Sequence, residues 1–217
     1  MAKVTLKPGT MLNPVPVVMV SCGSGENSNI ITIAWTGIVN SEPPMTYISV
    51  RKSRYSHQLI SQKGEFVINL TTESLAKATD YCGVKSGRDV DKAKVTGLTF
   101  EPAEKVCCPM ITQSPVNLEC RVCEIREYGS HDMFVAEIVA VHADEELFDN
   151  RGRICLDEAG LLAYSHGEYF GLKRYPLGKF GYSVMKAKTR KRLNREKTAG
   201  SRGRRYYPKK NKKSKRD

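Results

Sequence analysis

The sequence predicts a mainly β protein, built as an antiparallel barrel with a few short helices. The first observation behind this prediction is a series of apolar segments that alternate in the period of strands and are separated at hairpin-like spacings. The second is that no regular strand–helix–strand alternation occurs, although a parallel sheet would require it. The third is the length of 217 residues, which suffices for one substantial core. We therefore expect an antiparallel barrel rather than a doubly wound parallel sheet.

The predicted strands begin near the N-terminus and continue to the last third of the chain. The strong candidates are Val15–Ser21, Asn29–Trp35, Met45–Val50, Phe66–Leu70, Val116–Glu127 and Met133–Ala143, and the weaker ones are Leu98–Glu101 and Leu161–Tyr164. In the second strand, Ile31, Ile33 and Trp35 share one face, as in a half-buried strand. The segment Ser41–Pro44 ends this region of extended chain, because proline donates no hydrogen bond to a ladder.

The predicted helices are short. They cover Ser56–Lys63, Thr72–Cys82 and one or two turns around Asp89–Val95. The first of them should end at Gly64, because glycine readily adopts the left-handed conformation that closes a helix.

A basic turn, residues 51–56, lies between the strand Met45–Val50 and the first helix and reads Arg-Lys-Ser-Arg-Tyr-Ser. It brings positive charge, hydroxyl groups and the free N–H groups of a helix N-terminus together. These are the groups that bind a phosphate. The alternative is a solvated turn in which Ser53 or Ser56 only caps the helix.

The order of several short motifs resembles that of a known family. These motifs are N-x-x-T-x-A-W at residues 29–35, E-P-P at 42–44, R-K-S-R-x-S at 51–56, G-E-F-V-I-N at 64–69, S-G-R-D-V-D-K at 86–92, G-S-H-D-M-F at 129–134 and L-G-K-F-G at 177–181. Over roughly residues 8–185, the chain resembles the flavin reductase-like family with its FMN-binding split barrel, and within it the flavoredoxin-like proteins. The resemblance implies an FMN cofactor, a homodimer with the flavin near the subunit interface, and a redox function.

The resemblance also implies which residues bind the cofactor. They are Asn29, Thr32, Ala34, Trp35, Thr36, Val50, Arg51, Lys52, Ser53, Ser56, Lys92 and Tyr164. Asn29 and Thr32 would hydrogen-bond the flavin ring, and Trp35 would pack against it, although a core anchor is the alternative for a lone tryptophan. Lys92 would contact the phosphate. Without the resemblance, an ordinary exposed lysine is an equally good interpretation.

His131 is the candidate catalytic residue. It lies in the G-x-H-x-x-F element, which by resemblance is close to the isoalloxazine and to the nicotinamide side of the site. On the residues alone, a structural histidine is favoured. The adjacent Ser130, His131 and Asp132 cannot form a hydrolytic triad, because three neighbouring residues cannot face one another. His57, His142 and His166 are interpreted as structural or surface residues.

The net charge of +12 is confined to one end of the chain. Residues 186–217 contain 16 of the 35 Lys and Arg residues and 2 of the 23 acidic residues. Residues 1–185 therefore carry 19 basic and 21 acidic residues, a net charge of −2. We predict a flavin reductase-like domain over residues 1–185 and a basic, disordered tail over residues 186–217. Such a tail is typical of RNA- or DNA-binding arms, and a non-specific polycation is the alternative.

The seven cysteines do not predict a disulfide framework or a zinc site. Their number is odd and they are scattered, which favours reduced, mostly buried thiols. Cys120 and Cys123 are three positions apart on a predicted strand, so they should point to opposite faces and cannot share one metal. No segment reaches the length of a membrane span, and we expect a soluble, cytoplasmic protein without a targeting signal.

Two functions from different classes remain open. The first is an FMN-binding redox flavoprotein, with electrons supplied either by NAD(P)H or by a protein carrier, since no nicotinamide motif occurs. The second is a nucleic-acid-binding protein that uses the barrel as a scaffold and binds through the tail. A family member that has lost its flavin is a third interpretation, which the intact hydroxyl and basic groups of the basic turn oppose.

Overall fold

The computed structural model describes residues 1–173, 175–178, 180–186 and 189. By its contacts the chain divides into two units, Met1–Tyr175 and Pro176–Asp217. Most of the tail predicted over residues 186–217 lies outside the described residues, so the domain boundary predicted from charge stays a prediction.

Within the described residues the secondary structure is mostly β. The strands are β1 (Val15–Pro16), β2 (Val18–Cys22), β3 (Asn29–Ile33), β4 (Thr36–Ser41), β5 (Pro44–Val50), β6 (Glu65–Leu70), β7 (Phe100–Glu101), β8 (Met110–Ile111), β9 (Val116–Tyr128), β10 (His131–Ala143), β11 (Leu162–Ser165) and β12 (Glu168–Gly171). The α-helices are α1 (Tyr55–Lys63), α2 (Ala76–Val84) and α3 (Lys92–Thr96), and short 3₁₀ turns connect other elements. The prediction of a mainly β chain with short helices is confirmed.

Seven strands form one antiparallel sheet in the order β3-β2-β6-β9-β10-β5-β4. Its two edge strands, β3 and β4, are consecutive in the chain and are joined only by Ala34 and Trp35. The Trp35 carbonyl accepts a hydrogen bond of 2.9 Å from the N–H of Ser49 in β5. The sheet therefore curls into a barrel, in which this short link joins the two edge strands without a hydrogen-bonded ladder between them.

The barrel interior is apolar and is closed by α1. Alternate residues of the strands point inward, among them Val20, Ile31, Phe66 and Phe134. Leu59 and Ile60 of α1 pack on this cluster. As predicted, α1 ends at Gly64, which adopts the left-handed conformation with φ of 67°.

A second apolar cluster covers the outer face of β2 and β3. Met19 and Ile30 pack there against Leu75 and Cys82 from the α2 region. All five residues of β2 are consequently buried, because this strand has the barrel on one side and α2 on the other. This double burial explains why the segment predicted as Val15–Ser21 reads as a continuous apolar run rather than an alternating one.

The structure corrects several boundaries. The segment predicted as Val15–Ser21 is split at Val17, since β1 pairs with β11 while β2 belongs to the large sheet. The strand predicted to reach Trp35 ends at Ile33, because the chain bends there into β4. Sequence reasoning missed three strands, β4, β8 and β12. From its third residue onward β4 is exposed on both faces, so its sequence carries no alternating pattern.

The cysteine pair of β9 lies as its spacing predicts, with Cys120 buried and Cys123 exposed. No group of three or more His, Cys, Asp and Glu side chains is placed to hold a metal among the residues described. Within the same residues, no helix is long and apolar enough to cross a membrane.

A buried carboxylate fastens one loop to the barrel. Glu119 of β9 is fully buried and accepts hydrogen bonds from the backbone N–H groups of residues 104–106 at 2.6–3.0 Å. His142 Nε2 lies 2.5 Å from the same carboxylate. Burial by itself would raise the pKa of Glu119, but these hydrogen bonds outweigh it and hold the pKa below its ordinary value of 4.5.

Replacing Glu119 with glutamine is expected to lower the free energy of unfolding at neutral pH by about 2 kcal/mol, because the hydrogen bonds lose their charge assistance. A lowered pKa stabilises the fold above the unfolded-state pKa, and this contribution disappears as pH falls through the folded-state pKa. The difference between wild type and Glu119→Gln should therefore shrink below pH 4.5. Urea unfolding across acidic and neutral pH measures it, and a constant difference would contradict this account.

Candidate functional site

One elongated cleft runs along the barrel where β3, the end of β5 and the start of α1 meet. It consists of two lobes of about 350 and 360 Å³. Both lobes are lined by Ile31, Arg51 and Arg54, so they adjoin one another at these three residues. Their combined size lies within the range of small-molecule sites.

The first lobe, which we call the basic lobe, is lined by Asn29, Ile31, Arg51, Ser53, Arg54, Tyr55, Ser56, Cys82, Lys85, Ser86, Gly87 and Lys92. The basic turn supplies five of these residues. Buried Asn29 donates a hydrogen bond of 2.8 Å from Nδ2 to the Ser56 hydroxyl, which joins β3 to the first turn of α1. The lobe thus gathers hydroxyl groups and cations at a helix N-terminus.

Arg88 braces the basic turn from outside. Its Nη1 donates to the Ser53 carbonyl at 3.1 Å, and its guanidinium lies 5.2 Å from the centre of the Tyr55 ring. A hydrogen bond combined with a cation–π contact fixes both the backbone and the side chain of the turn.

Gly87 occupies a position where no side chain fits. A Cβ atom there would lie 2.1 Å from Oδ1 of Asn29. The glycine therefore allows the loop after α2 to approach β3 closely, and the Asn29 amide fills the space.

Lys92 is buried and does not extend into solvent, so the interpretation as an exposed lysine is wrong. Only 5% of the residue is exposed, and Nζ donates to the carbonyls of Ile30 and Cys82 at 2.6 and 2.9 Å. Burial lowers the pKa of Lys92. An ammonium group has three donors, so one N–H remains for the lobe that Lys92 lines.

The second lobe, which we call the aromatic lobe, is lined by Val17, Ile31, Thr32, Ile33, Ala34, Trp35, Ser49, Val50, Arg51, Arg54, Asp80, Gly83, Val84, His131, Tyr164, Gly167 and Tyr169. Trp35 is 46% exposed, so it is not a core anchor. Its ring is nearly parallel to that of His131, at 3° with 6.4 Å between centroids. Two nearly parallel rings therefore line this lobe, among both apolar and polar side chains.

His131 begins β10 and is half-buried at the mouth of this lobe. The Ser130 hydroxyl lies 2.8 Å from its Nδ1. Burial lowers the pKa of His131, and the nearby Arg51 guanidinium lowers it further. The imidazole is therefore neutral at physiological pH and presents one donor and one acceptor nitrogen.

Two tyrosines close the other side of the aromatic lobe. Tyr164 and Tyr169 pack edge to face with 5.6 Å between centroids, and the Tyr169 hydroxyl donates to Asp80 at 3.2 Å. Burial, together with the negative charge of Asp80, raises the pKa of Tyr169 to about 12. The phenol therefore stays protonated and holds Asp80 against β12.

A family model described as the flavin reductase like domain matches residues 10–173 of this chain. The chain belongs to the flavin reductase-like family. This match spans every strand and α-helix described above, and it confirms the resemblance that the sequence motifs indicate.

Solved structures of flavin proteins share the fold. A flavoredoxin of Desulfovibrio vulgaris (Miyazaki F) is 27% identical with a TM-score of 0.78, over 84% of this chain and 100% of its own. A flavoredoxin from Methanosarcina acetivorans is 30% identical with a TM-score of 0.77, over 85% and 100%. An FMN-binding protein from Thermus thermophilus is 25% identical with a TM-score of 0.69, over 82% and 98%. The barrel is thus a split barrel, and its family and structural neighbours support a flavin-associated redox role.

The cleft of this flavin reductase-like chain brings together most residues that the sequence predicts to bind a cofactor. Those that line it are Asn29, Thr32, Ala34, Trp35, Val50, Arg51, Ser53, Ser56, Lys92 and Tyr164, together with the predicted catalytic residue His131. The Thr32 hydroxyl donates to the Thr79 carbonyl, so only its acceptor capacity faces the cleft. The roles of these residues toward a flavin stay predictions.

Two predicted residues do not line the cleft. Thr36 is buried at the start of β4, and its hydroxyl donates to the Tyr47 carbonyl at 2.6 Å. Lys52 points the other way, where Nζ lies 2.5 Å from Glu127 and 3.6 Å from Asp132. The two carboxylates hold Lys52 in that direction, whereas Arg51 and Ser53 line the cleft.

Sequence reasoning missed several lining residues. Arg54 lies within the basic turn, and Ser86 and Gly87 lie within the S-G-R-D-V-D-K motif, so the signal for these three was present. Asp80 and Tyr169 carry no such signal, because only the packing of β12 beside α2 brings them to the aromatic lobe.

Proposed function

We propose that this protein is an FMN-binding redox flavoprotein, acting in electron transfer or in NAD(P)H-dependent flavin reduction. The observation that carries the proposal is the cleft itself, which has cations and hydroxyl groups at one end and aromatic walls at the other. A flavin mononucleotide has the same division, with a phosphate at one end and a flat ring system at the other.

The basic lobe fits the phosphate. Arg51 and Arg54 supply fixed positive charge, and the Ser53 and Ser56 hydroxyls supply donors or acceptors as needed. Gly87 lines the lobe without a side chain, and a side chain at that position would collide with Asn29. The remaining N–H of Lys92 adds a buried cation to the same lobe.

The aromatic lobe fits the ring system. Ile31, Val50 and Trp35 offer apolar surface, and the backbone of Ala34 lies along the wall beside them. FMN, when bound, would supply the redox chemistry as hydride or single-electron exchange. The protein excludes water with the Trp35 and tyrosine walls, and neutral His131 can accept a proton at the mouth of the lobe.

Spectroscopy under anaerobic conditions tests the redox function. FMN-reconstituted protein should bleach at about 450 nm with a chemical reductant, and addition of NADH, of NADPH or of a reduced protein carrier identifies the donor. Bleaching by neither nucleotide would favour a protein electron donor. A bound flavin that none of these reductants, the chemical one included, can bleach would contradict the redox function.

We also propose a homodimer, which the edge strand β4 supports. Its Ile38 and Val39 are 73% and 51% exposed, and an uncovered apolar edge strand favours pairing with a second copy. Light scattering at micromolar concentration should report twice the chain mass of 24.3 kDa. A monomer at that concentration would contradict the proposal.

A second, separate function for the tail is favoured by its charge. Residues 186–217 carry 16 Lys and Arg residues, so RNA or DNA binding should reside there and fall steeply with salt, by about 0.7–0.9 log units per log unit for each neutralised phosphate. Truncation after Met185 should remove retention of labelled RNA and leave FMN content unchanged. Loss of flavin with persistent RNA binding would contradict this division.

A further inference from the structure

Asp132 is a buried carboxylate that the proposed function does not use. It follows His131 in β10 and lies opposite Val50, the last residue of β5. Only 4% of the residue is exposed. Asp132 therefore lies at the point where β5 ends and the basic turn begins.

The partners of Asp132 lie near the two ends of the basic turn. Lys52, its second residue, places Nζ 3.6 Å from Oδ1 of Asp132. His57, the residue directly after the turn, donates from Nε2 to Oδ2 at 2.7 Å. One carboxylate of the sheet thus contacts both sides of the segment that carries Arg51, Ser53 and Ser56.

The contacts with Lys52 and His57 compensate the buried charge of Asp132. Among the described residues, Oδ1 of Asp132 has no hydrogen-bond donor. A buried carboxylate without partners is strongly disfavoured. Conformations that keep His57 and Lys52 beside Asp132 are therefore favoured over those in which they move away. Glu127 adds a second, exposed ion pair to Lys52 at 2.5 Å.

We infer that Asp132 is a positioning residue, which holds the basic turn and the first turn of α1 against β10 so that the anion end of the cleft is preformed. This inference rests on the proposed function. The His57 ring also packs edge to face on Phe134, with 5.2 Å between centroids. On the other side, Asn29 holds Ser56. The first turn of α1 is thus fixed to two strands.

A direct electrostatic effect of Asp132 on the phosphate would change the FMN affinity in the opposite direction from a positioning effect. A carboxylate near the phosphate site repels an anion through space, so its neutralisation would raise the affinity for FMN. A positioning role requires the affinity to fall, because the cations and hydroxyls lose their arrangement. The sign of the change therefore separates the two effects.

The experiment compares FMN with riboflavin, which has the same ring system and no phosphate. Dissociation constants are measured by flavin fluorescence for the full chain and for Asp132→Asn, His57→Phe and the double variant. His57→Phe keeps a ring against Phe134 and removes only the N–H donor. Each single variant should lower FMN affinity about tenfold, the equivalent of one hydrogen bond to a charged group, and leave riboflavin affinity within about twofold.

The FMN affinity of the double variant should be no lower than that of the single variant with the lower affinity, because the two residues act as one unit and their losses do not add. His142→Phe is the matched control, since it removes an imidazole from another buried carboxylate, Glu119, outside the cleft lining. Its FMN affinity should equal that of wild type.

Unchanged or raised FMN affinity in Asp132→Asn would overturn the inference while the proposed function stands. An equal loss of FMN and riboflavin would also overturn it, because the phosphate end would not be the part affected. If one variant fails to fold by circular dichroism, the other decides by the same comparison. A wild-type chain that binds no FMN would overturn both the inference and the proposed function.

Discussion

Replacing Arg51, Ser53 and Ser56 together with alanine is expected to lower the affinity for FMN at least about tenfold, since charge-assisted hydrogen bonds contribute roughly 1.5–3 kcal/mol each. All three residues line the basic lobe. The loss of Ser56 also releases the Asn29 amide that it holds. Titration calorimetry with FMN measures the change.

The control for this variant is Arg121→Ala, which removes one exposed positive charge from β9, outside the cleft lining. It should bind FMN as wild type does, because a screened surface charge contributes little. Unchanged FMN affinity in the triple variant would place the phosphate elsewhere.

Gly87→Ala is expected to lower FMN affinity by about tenfold as well. The new Cβ would lie 2.1 Å from Oδ1 of Asn29, so that buried side chain must move away from Ser56. Relieving such a collision in a packed site costs roughly 1–3 kcal/mol. Fluorescence titration of the variant with FMN gives the magnitude.

The double variant Gly87→Ala, Asn29→Ala shows whether the loss acts through Asn29. In the Asn29→Ala background the collision is absent, so Gly87→Ala should add little to the loss from Asn29→Ala alone. Full additivity of the two losses would mean that the alanine disturbs the lobe in another way.

The sequence predicts the basic lobe well because its residues are close together along the chain. The basic turn is a contiguous run, and its serines and arginines at a helix N-terminus indicate a phosphate site as one of two interpretations. The exception is Lys52, whose direction depends on Glu127 and Asp132, and these belong to strands more than seventy residues away.

The aromatic lobe is predictable only in part, because it is assembled from distant elements. The N-x-x-T-x-A-W motif supplies Trp35, but its contact with His131 arises from the curl that joins β3 to β4. Tyr169 and Asp80 meet across the interface of β12 and α2, and neither position stands out in its own segment.

Buried polar residues mark the other limit of sequence reasoning. Lys92 was predicted as a phosphate contact only by resemblance, and no local pattern marks Asp132 as buried, yet both are nearly inaccessible and have partners far away in sequence. The sequence indicates only structural or surface roles for His57 and His142. The structure shows each beside a buried carboxylate, a pairing that no local pattern encodes.

A stoichiometric titration shows whether one cleft per chain binds FMN. Purified protein, stripped of any flavin, is titrated with FMN while the absorbance at about 450 nm and the flavin fluorescence are followed. We expect saturation at one FMN per chain, with tighter binding of FMN than of riboflavin because the basic lobe holds the phosphate. Absence of saturable FMN binding, or equal affinity for FMN and riboflavin, would contradict it.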